Sequence, residues 1–182
     1  MRAKFLGTPI DLLTLEQTVI RAVDAMLMRK PTHHVALNVA KLVNMRRNEE
    51  LARDVNESHI VGIDGMGIVW GARALGIEVP ERVSGVDLME RLLEVCSQLD
   101  FRPYFLGATQ DVLERATIKA LDRWPGLTFA GCRNGYFSPD EEAETVEEIR
   151  AAKPDCLFIA MPTPRKERFL RKYRETREHA PQ

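Results

Sequence analysis

The sequence has few cysteines, no long apolar run and almost no net charge. Its three cysteines are an odd number, lie far apart and form no CxxC pair, so neither a disulfide framework nor a zinc site is expected. No stretch reaches the roughly 18 uninterrupted apolar residues that a membrane-spanning helix needs. With 26 Lys and Arg against 27 Asp and Glu, the chain has no general attraction to nucleic acid. We expect a cytoplasmic protein.

Several motifs of cofactor and metal chemistry are missing as well. The sequence contains neither a GxGxxG fingerprint nor a P-loop, which are the usual marks of dinucleotide and nucleotide phosphate sites. Its four histidines show no metal-ligand spacing, and no Ser-His-Asp or Cys-His pattern stands out. No metal site is predicted, and a nucleotide-dependent oxidoreductase is the least favoured class of enzyme.

What the chain does contain is an alternation of short apolar runs with longer segments of helical period. This alternation is typical of a parallel sheet covered by helices. We predict strands at 33–38, 59–63, 102–107, 127–131 and 156–161. We predict helices at 11–29, 40–56 with a break, 65–75, 86–99, 110–123, 140–152 and 164–178. The predicted fold is α/β: a single Rossmann-like domain over residues 1–182, with a mostly parallel sheet and helices on both faces.

The helix start with the clearest signal is "SPDEEAETVEEI". Ser138 can cap this helix, Pro139 occupies its first position and Glu141 completes a capping box, with acidic residues in the first turn facing the helix dipole.

Polar residues and glycines gather where the predicted strands end. In open α/β sheets, ligands bind outside the carboxyl ends of the strands, close to helix N-termini. Asp64 follows the run "HIVGI" directly and precedes a predicted helix through "GMG". The residues alone leave two interpretations of Asp64 open: its carboxylate caps the helix, or it takes part in a functional site at the strand end.

Arg82 lies just before a Ser84-Gly85 turn and a predicted helix. A guanidinium next to unbonded helix N–H groups would suit phosphate binding, because its planar fork donates to two oxygens at once. Taken by itself, however, Arg82 is better explained as a surface residue paired with Glu81 or Asp87.

Seven motifs in one order resemble those of the bacterial WecG/TagA/CpsF glycosyltransferase family. They span about residues 5 to 170 and read "FLGTPIDLLTLEQ", "ALNVAKLV", "IDGMGIVWGARALG", "ERVSGVDLMERLL", "FLGATQDVLERA", "NGYFSPDEE" and "KPDCLFIAMPTPRKE". The resemblance implies transfer of N-acetylmannosamine, or its uronic acid, from a UDP donor to an undecaprenyl-diphosphate-linked acceptor in the synthesis of cell-surface polysaccharides. It also implies an inverting reaction with no metal ion and no cofactor other than the UDP-sugar donor.

The resemblance also implies roles for particular residues. Asp64 matches the general base that the family uses, which takes the proton of the acceptor hydroxyl. Asn38 and Arg82 match residues of the substrate pocket, and Gly107 and Tyr136 match residues at its rim.

The chain departs from the family pattern at several positions. Ala36 stands where the family has a threonine, and in the family's "GxPKQE" motif Pro162 replaces the glycine and Lys166 the glutamine, while Glu167 is kept. Lys166 adds a charge suited to a diphosphate, and Glu167 is predicted to contact substrate. The family's C-terminal appendage is not seen after "HAPQ". These departures favour an alternative class, a binding or regulatory paralogue that keeps the UDP-sugar pocket without turnover.

Residues 165–178, within the last predicted helix, carry seven basic residues against three acids. Such a helix can lie on anionic lipid, but its apolar stripe is weak and basic faces are usually solvated. We expect peripheral contact with the inner face of the plasma membrane as one option, and leave homo-oligomerisation open.

Overall fold

The structure is a computed structural model that describes the backbone of residues 1–178 and the side chains of residues 1–172. It divides into two compact units, Met1–Glu90 and Arg91–Gln182. The boundary falls within one helix, α5 (Gly85–Leu99). Each unit has its own parallel strands and its own helices, so the predicted α/β class is confirmed, while the single-domain interpretation stays a prediction.

The first unit contains a parallel strand pair and an antiparallel hairpin. Its elements before α5 are β1 (Arg2–Phe5), β2 (Thr8–Asp11), α1 (Leu15–Leu27), β3 (His34–Leu37), α2 (Val39–Met45), α3 (Glu49–Asn56), β4 (Ile60–Ile63) and α4 (Met66–Ala74). Strands β3 and β4 pair in parallel, with Leu37 opposite Ile63. All four residues of β4 are buried, as the uninterrupted apolar run predicted. The predicted break within 40–56 is confirmed between α2 and α3.

The hairpin β1–β2 was not predicted from the sequence, and the first helix begins later than predicted. The two strands are joined by the two-residue turn Leu6-Gly7, and both residues have positive φ (48° and 85°). Such a turn matches the twist of a hairpin but usually carries Asn-Gly or Asp-Gly, so "LG" gave no signal. Helix α1 begins only after Thr14, which forms a capping box with Gln17.

An ion pair between the exposed Arg2 and the buried Asp11 connects this hairpin to β4. The Arg2 guanidinium donates to both carboxylate oxygens of Asp11 (3.1 and 2.7 Å) and to the main-chain oxygens of Ser58 and His59. Asp11 is only 3% exposed, and its Oδ2 also accepts from the Val61 N–H at 2.8 Å. The pair therefore stabilises the attachment of the hairpin to the parallel strands.

We expect the substitution Arg2→Met to lower the free energy of unfolding of the first unit by about 2–3 kcal/mol, because it leaves a buried carboxylate without its main partner. Hydrogen exchange at the Val61 amide is the local measurement. Arg21→Met is the matched control, since Arg21 lies 3.9 Å from the same carboxylate and should cost less than about 1 kcal/mol. Equal exchange rates in the two variants would contradict the assigned role of Arg2.

The second unit has a three-stranded parallel sheet flanked by helices, in the order β6-β5-β7. After α5, its elements are β5 (Pro103–Gly107), α6 (Gln110–Arg123), β6 (Gly131–Arg133), a 3₁₀ turn (Pro139–Glu141), α7 (Glu142–Ala152), β7 (Cys156–Ala160) and α8 (Arg165–Glu178). The predicted helix start at Ser138 is confirmed, and the Ser138 N–H donates to the Glu141 carboxylate at 2.7 Å. This bond lowers the pKa of Glu141.

The predicted strand at 127–131 was wrong in position. The Leu127 N–H bonds to the Trp124 carbonyl in a turn, and pairing with β5 begins only near Ala130, whose N–H donates to the Pro103 carbonyl. Leu127 is nevertheless buried (4% exposed). An apolar run indicates that residues are buried, but not that they form hydrogen bonds with a neighbouring strand. The predicted strand therefore began about four residues too early.

Two of the three cysteines, far apart in the sequence, meet in the second unit. The Sγ atoms of Cys96 and Cys156 lie 3.8 Å apart, and all three cysteines are thiols. The hydrogen bond with Cys96, followed by burial, raises the pKa of Cys156 well above its usual value. Its thiol therefore stays protonated at neutral pH.

Candidate functional site

The carboxyl ends of β3 and β4 bring Asn38 and Asp64 side by side. The Asp64 N–H donates to the Leu37 carbonyl at 2.9 Å, which extends the parallel ladder by one residue. A Cβ on Gly65 would lie 3.3 Å from the Cβ of Asn38, so the residue after Asp64 has little room for a side chain. This close approach explains the "DG" pair at the end of an apolar strand.

The Asp64 carboxylate is half-buried and does not cap a helix. Its side chain is 27% exposed, and the N-cap of α4 is Gly65, which has no side-chain cap. Among the described residues, none donates a hydrogen bond to this carboxylate. The capping interpretation that the sequence left open is therefore not supported, and the carboxylate is open to accept a hydrogen bond from a ligand.

Arg82 is the cation next to Asp64. Its Nη1 donates to the Asp64 main-chain oxygen at 3.3 Å and lies 3.9 Å from Oδ1 of the carboxylate. Its Nη2 lies 3.8 Å from Asp87. The neighbouring Val83 N–H donates to the Ile63 carbonyl at 2.8 Å, which holds this segment at the end of β4. Both ion pairs are long and partly exposed, so they are weak and leave Arg82 suited to an anionic ligand.

Glu81 and Asp87 were the two acidic residues predicted as alternative partners of Arg82, and Glu81 bonds to the main chain of another segment. Glu81 accepts from the Leu15 N–H at 2.8 Å, at the start of α1, where a carboxylate is favoured by the helix dipole. Asp87, in the first turn of α5, is the partner that does face Arg82.

Asn38 has a structural role that was not predicted from the sequence. Its Oδ1 accepts from the Lys41 N–H at 2.9 Å, which makes it the N-cap of α2. Its Nδ2 makes no hydrogen bond with the described residues. Asn38 can therefore offer a ligand its Nδ2 donor. The signal for the cap, an Asn before an apolar helical segment, was present in the sequence.

In the second unit, the loops after all three strands meet at Gly107. This residue has φ of +130°, and a Cβ built on it would lie 2.3 Å from the Ala160 carbonyl oxygen. The Ala108 N–H donates to Ala160, and the Gly135 N–H donates to Ala108. A Cβ on Gly135 would lie 2.9 Å from the Cα of Gly107. Gly107 thus permits contact between the ends of β5 and β7, which any other residue would separate.

Tyr136 is held at the surface by contacts of its two neighbours. Its side chain is 78% exposed. The Arg165 guanidinium donates to the carbonyls of Gly135 and Phe137, at 2.7 Å each, and lies 4.6 Å from the Phe137 ring. From the sequence, Arg165 was only one of the basic residues of a tail. Its role in fixing the "GYF" loop depends on contacts 28 and 30 residues apart.

The two site residues of the "PTPRKE" segment lie in the first turn of α8. Glu167 is 1% exposed and accepts from the Thr163 hydroxyl at 3.1 Å. Lys166 is half-buried, and its N–H donates to the Pro162 carbonyl at 3.3 Å. Pro162 thus takes part in starting the helix through its carbonyl, although it lacks an N–H. Contacts of Lys166 and Glu167 with substrate stay predictions.

The basic tail is confirmed as helix α8, and one of its apolar residues is internal. Phe169 is 1% exposed and its ring lies 5.9 Å from that of Phe137, so it is not part of a lipid-facing stripe. The side chains of residues 173–178 and all of 179–182 lie outside the described residues. Lipid contact by this helix stays a prediction.

Two broader features concern the described residues as a whole. Within them, no three His, Cys, Asp or Glu side chains converge to form a candidate metal site. None of their helices is both long and apolar enough to cross a bilayer.

Comparison with known proteins identifies the class. A family model described as "Glycosyl transferase WecG/TagA/CpsF family" matches residues 3–181, so the chain belongs to this family.

Two curated relatives carry one name, N-acetylglucosaminyldiphosphoundecaprenol N-acetyl-beta-D-mannosaminyltransferase. The protein from Bacillus spizizenii is 32% identical over 111 residues, which cover 61% of this chain and 42% of the relative. The protein from Staphylococcus aureus is 25% identical over 172 residues, which cover 93% of this chain and 66% of the relative. The matched regions therefore span about two fifths to two thirds of the length of these relatives.

Proposed function

We propose that this protein transfers N-acetylmannosamine, or its uronic acid, from a UDP donor to an undecaprenyl-diphosphate-linked acceptor. Membership of the family and the names of the two relatives support the reaction class and the lipid-linked acceptor. The observation that carries the proposal is the Asp64 carboxylate, which is partly exposed at a strand end, beside Arg82, with no hydrogen-bond donor among the described residues. We place the reaction at the inner face of the plasma membrane, with the protein bound peripherally.

In the proposed mechanism, Asp64 is the general base. A sugar hydroxyl is a weak nucleophile, and a carboxylate within hydrogen-bond reach accepts its proton as the oxygen attacks the anomeric carbon of the donor. Asp64 lies directly before α4, where the N-terminal end of the helix is a favourable place for negative charge. The bond to UDP breaks on the opposite side of the anomeric carbon, so the configuration inverts.

The departing UDP needs positive charge and N–H donors. We assign this work to Arg82 and to the main-chain N–H groups at the start of a helix, which together stabilise the growing negative charge on the diphosphate without a metal ion. We also assign the Nδ2 group of Asn38, which makes no hydrogen bond with the described residues, as a donor to a sugar oxygen. Gly107, Tyr136, Lys166 and Glu167, all in the second unit, stay predicted substrate-binding residues.

A second candidate is a paralogue that binds UDP-sugar without turnover. The substitution of Ala36 and Pro162 for residues of the family pattern favours it, since the first removes a hydroxyl and the second an N–H donor.

The test uses the purified chain with UDP-N-acetylmannosamine, its uronic acid analogue and a short-chain lipid diphosphate-GlcNAc acceptor in EDTA. We expect acceptor-dependent release of UDP and a product heavier by one sugar in mass spectrometry. Heat-inactivated protein is the control. UDP binding by calorimetry without release would favour the second candidate, and absence of both would overturn the proposal.

A further inference from the structure

Exposed apolar side chains from two elements of the first unit surround one groove. The groove lies between the β1–β2 turn, α2 and the first turn of α4. Three of the apolar residues that line it, Leu6, Val39 and Val43, are 54%, 47% and 45% exposed. A single exposed apolar residue is ordinary in a folded protein. Three of them around one groove form an apolar surface, which is a mark of an interaction site.

Helix α4 adds an exposed tryptophan next to this surface. Gly67 of α4 lines the groove, and a Cβ on it would lie 2.6 Å from Cγ2 of Val39, so the first turns of α4 and α2 are in contact. Met66 and Trp70 lie one turn apart on α4 and are 41% and 65% exposed. Met66 directly precedes Gly67 and is therefore about 100° around the helix from it. An indole ring, with its apolar body and one N–H donor, is favoured at the boundary between water and lipid.

The two helices of this surface carry positive charge and no acid. Residues 38–48 and 65–77 contain four Lys or Arg and no Asp or Glu, although the whole chain has 26 basic and 27 acidic residues. Arg46 and Arg47, at the end of α2, line the groove and are exposed. Among the described residues, neither arginine forms an ion pair. The apolar surface is therefore bordered by cations whose charge is not balanced by an acidic side chain of the protein.

We infer that one face of the first unit docks on an anionic lipid bilayer, and we call it the docking face: Leu6, Val39, Val43, Met66 and Trp70, with Arg46 and Arg47. Its apolar side chains enter the boundary between head groups and acyl chains, and its guanidinium groups pair with lipid phosphates. The inference rests on the proposed function, because an acceptor linked to undecaprenol stays in the membrane. Val39 follows Asn38, and Met66 lies two residues after Asp64, so the docking face begins at the helix starts that follow these two site residues.

The two tryptophans of the chain allow a direct test, because Trp70 belongs to the docking face and Trp124 to the second unit. Trp124→Phe leaves Trp70 as the one indole, and Trp70→Phe leaves Trp124 as its matched control. Each variant is mixed with vesicles of phosphatidylglycerol and phosphatidylcholine brominated on its acyl chains. We expect the emission of Trp70 to shift to shorter wavelength and to be quenched, and that of Trp124 to change in neither respect. Unchanged emission from Trp70, or equal quenching of both, would overturn the inference.

Sedimentation with vesicles measures the contribution of charge. Arg46→Gln with Arg47→Gln should lower the partition coefficient on phosphatidylglycerol vesicles by about tenfold or more. The matched control, Arg115→Gln with Lys119→Gln, removes the same charge from exposed positions of α6 in the second unit and should lower it by less than about threefold. Circular dichroism confirms folding of each variant. Equal effects of the two double variants would contradict the docking face. So would self-association in light scattering that Trp70→Ser abolishes while vesicle binding is unchanged.

Failure of this inference and failure of the proposed function give different results. The Arg46/Arg47 variant should transfer sugar to a short-chain acceptor in solution at the native rate, and more slowly to an undecaprenyl-linked acceptor held in phosphatidylglycerol vesicles. Native rates with both acceptors would overturn the docking face while the function stands. Vesicle attachment through the docking face, with transfer to neither acceptor, would leave the docking face in place and remove the function.

Discussion

Replacing Asp64 with Asn is expected to lower the rate of sugar transfer by about 10²-fold or more, because the amide cannot accept the proton of the acceptor hydroxyl. The substitution keeps the size of the side chain, and the Asp64 main-chain N–H and carbonyl bonds to Leu37 and Arg82 do not involve the carboxylate. Folding and UDP affinity should therefore be retained. UDP release under saturating donor and acceptor, followed at several pH values, is the measurement.

The chain offers a matched control for this experiment in Asp87. Its carboxylate is the second acid facing Arg82, at 3.8 Å, and it is 57% exposed. Asp87→Asn removes the same charge from the same arginine but not the proposed base, so we expect a rate within about threefold of the native protein. If both variants lost activity equally, the role of Asp64 would be to form an ion pair with Arg82 and not to accept a proton.

Replacing Gly107 with Ala is expected to destabilise the second unit by about 4 kcal/mol, which combines backbone strain with overpacking. The φ of +130° is a conformation that alanine rarely adopts, and the added Cβ would lie 2.3 Å from a main-chain oxygen that cannot move independently of β7. The ends of β5 and β7 must therefore separate. Urea unfolding, together with hydrogen exchange of the Ala108 amide that bonds to Ala160, measures the loss.

Gly85→Ala is the control for this substitution. A Cβ at Gly85 meets no atom within 4 Å and its φ is not in the positive range, so the change should be neutral or stabilising by less than about 1 kcal/mol. A Gly107→Ala protein with the same unfolding midpoint as Gly85→Ala would show that the contact between the two strand ends relaxes without cost.

Strands and helices could be predicted from the sequence where the pattern of apolar residues follows which residues are buried. The apolar run at β4 and the helical period of α1 and α6 indicated their elements within a few residues, since those segments pack one face or both faces against a core. The hairpin and β6 were not located correctly, because pairing of short strands is decided by partners distant in sequence. The turn Leu6-Gly7 and the partners of β6 on β5 are such cases.

The candidate site shows the same division. A carboxylate at a strand end and an arginine before a helix were recognisable from local sequence, and their ion pair was not, because 18 residues separate Arg82 from Asp64. The capping role of Asn38 was within reach of sequence reasoning. The position of Arg165 beneath the "GYF" loop was not, since its two carbonyl partners belong to another strand end.

By itself, the sequence determined the α/β class, the alternation of most strands and helices after the hairpin and the placement of Asp64 at the end of an apolar strand, because burial and helix-terminus preferences act over a few neighbouring residues. Only the tertiary structure decided that the Asp64 carboxylate lies beside Arg82 without capping α4 and that Gly107 lets two strand ends touch. These features depend on which distant segments pack together, and that is settled by the free energy of the whole packed chain.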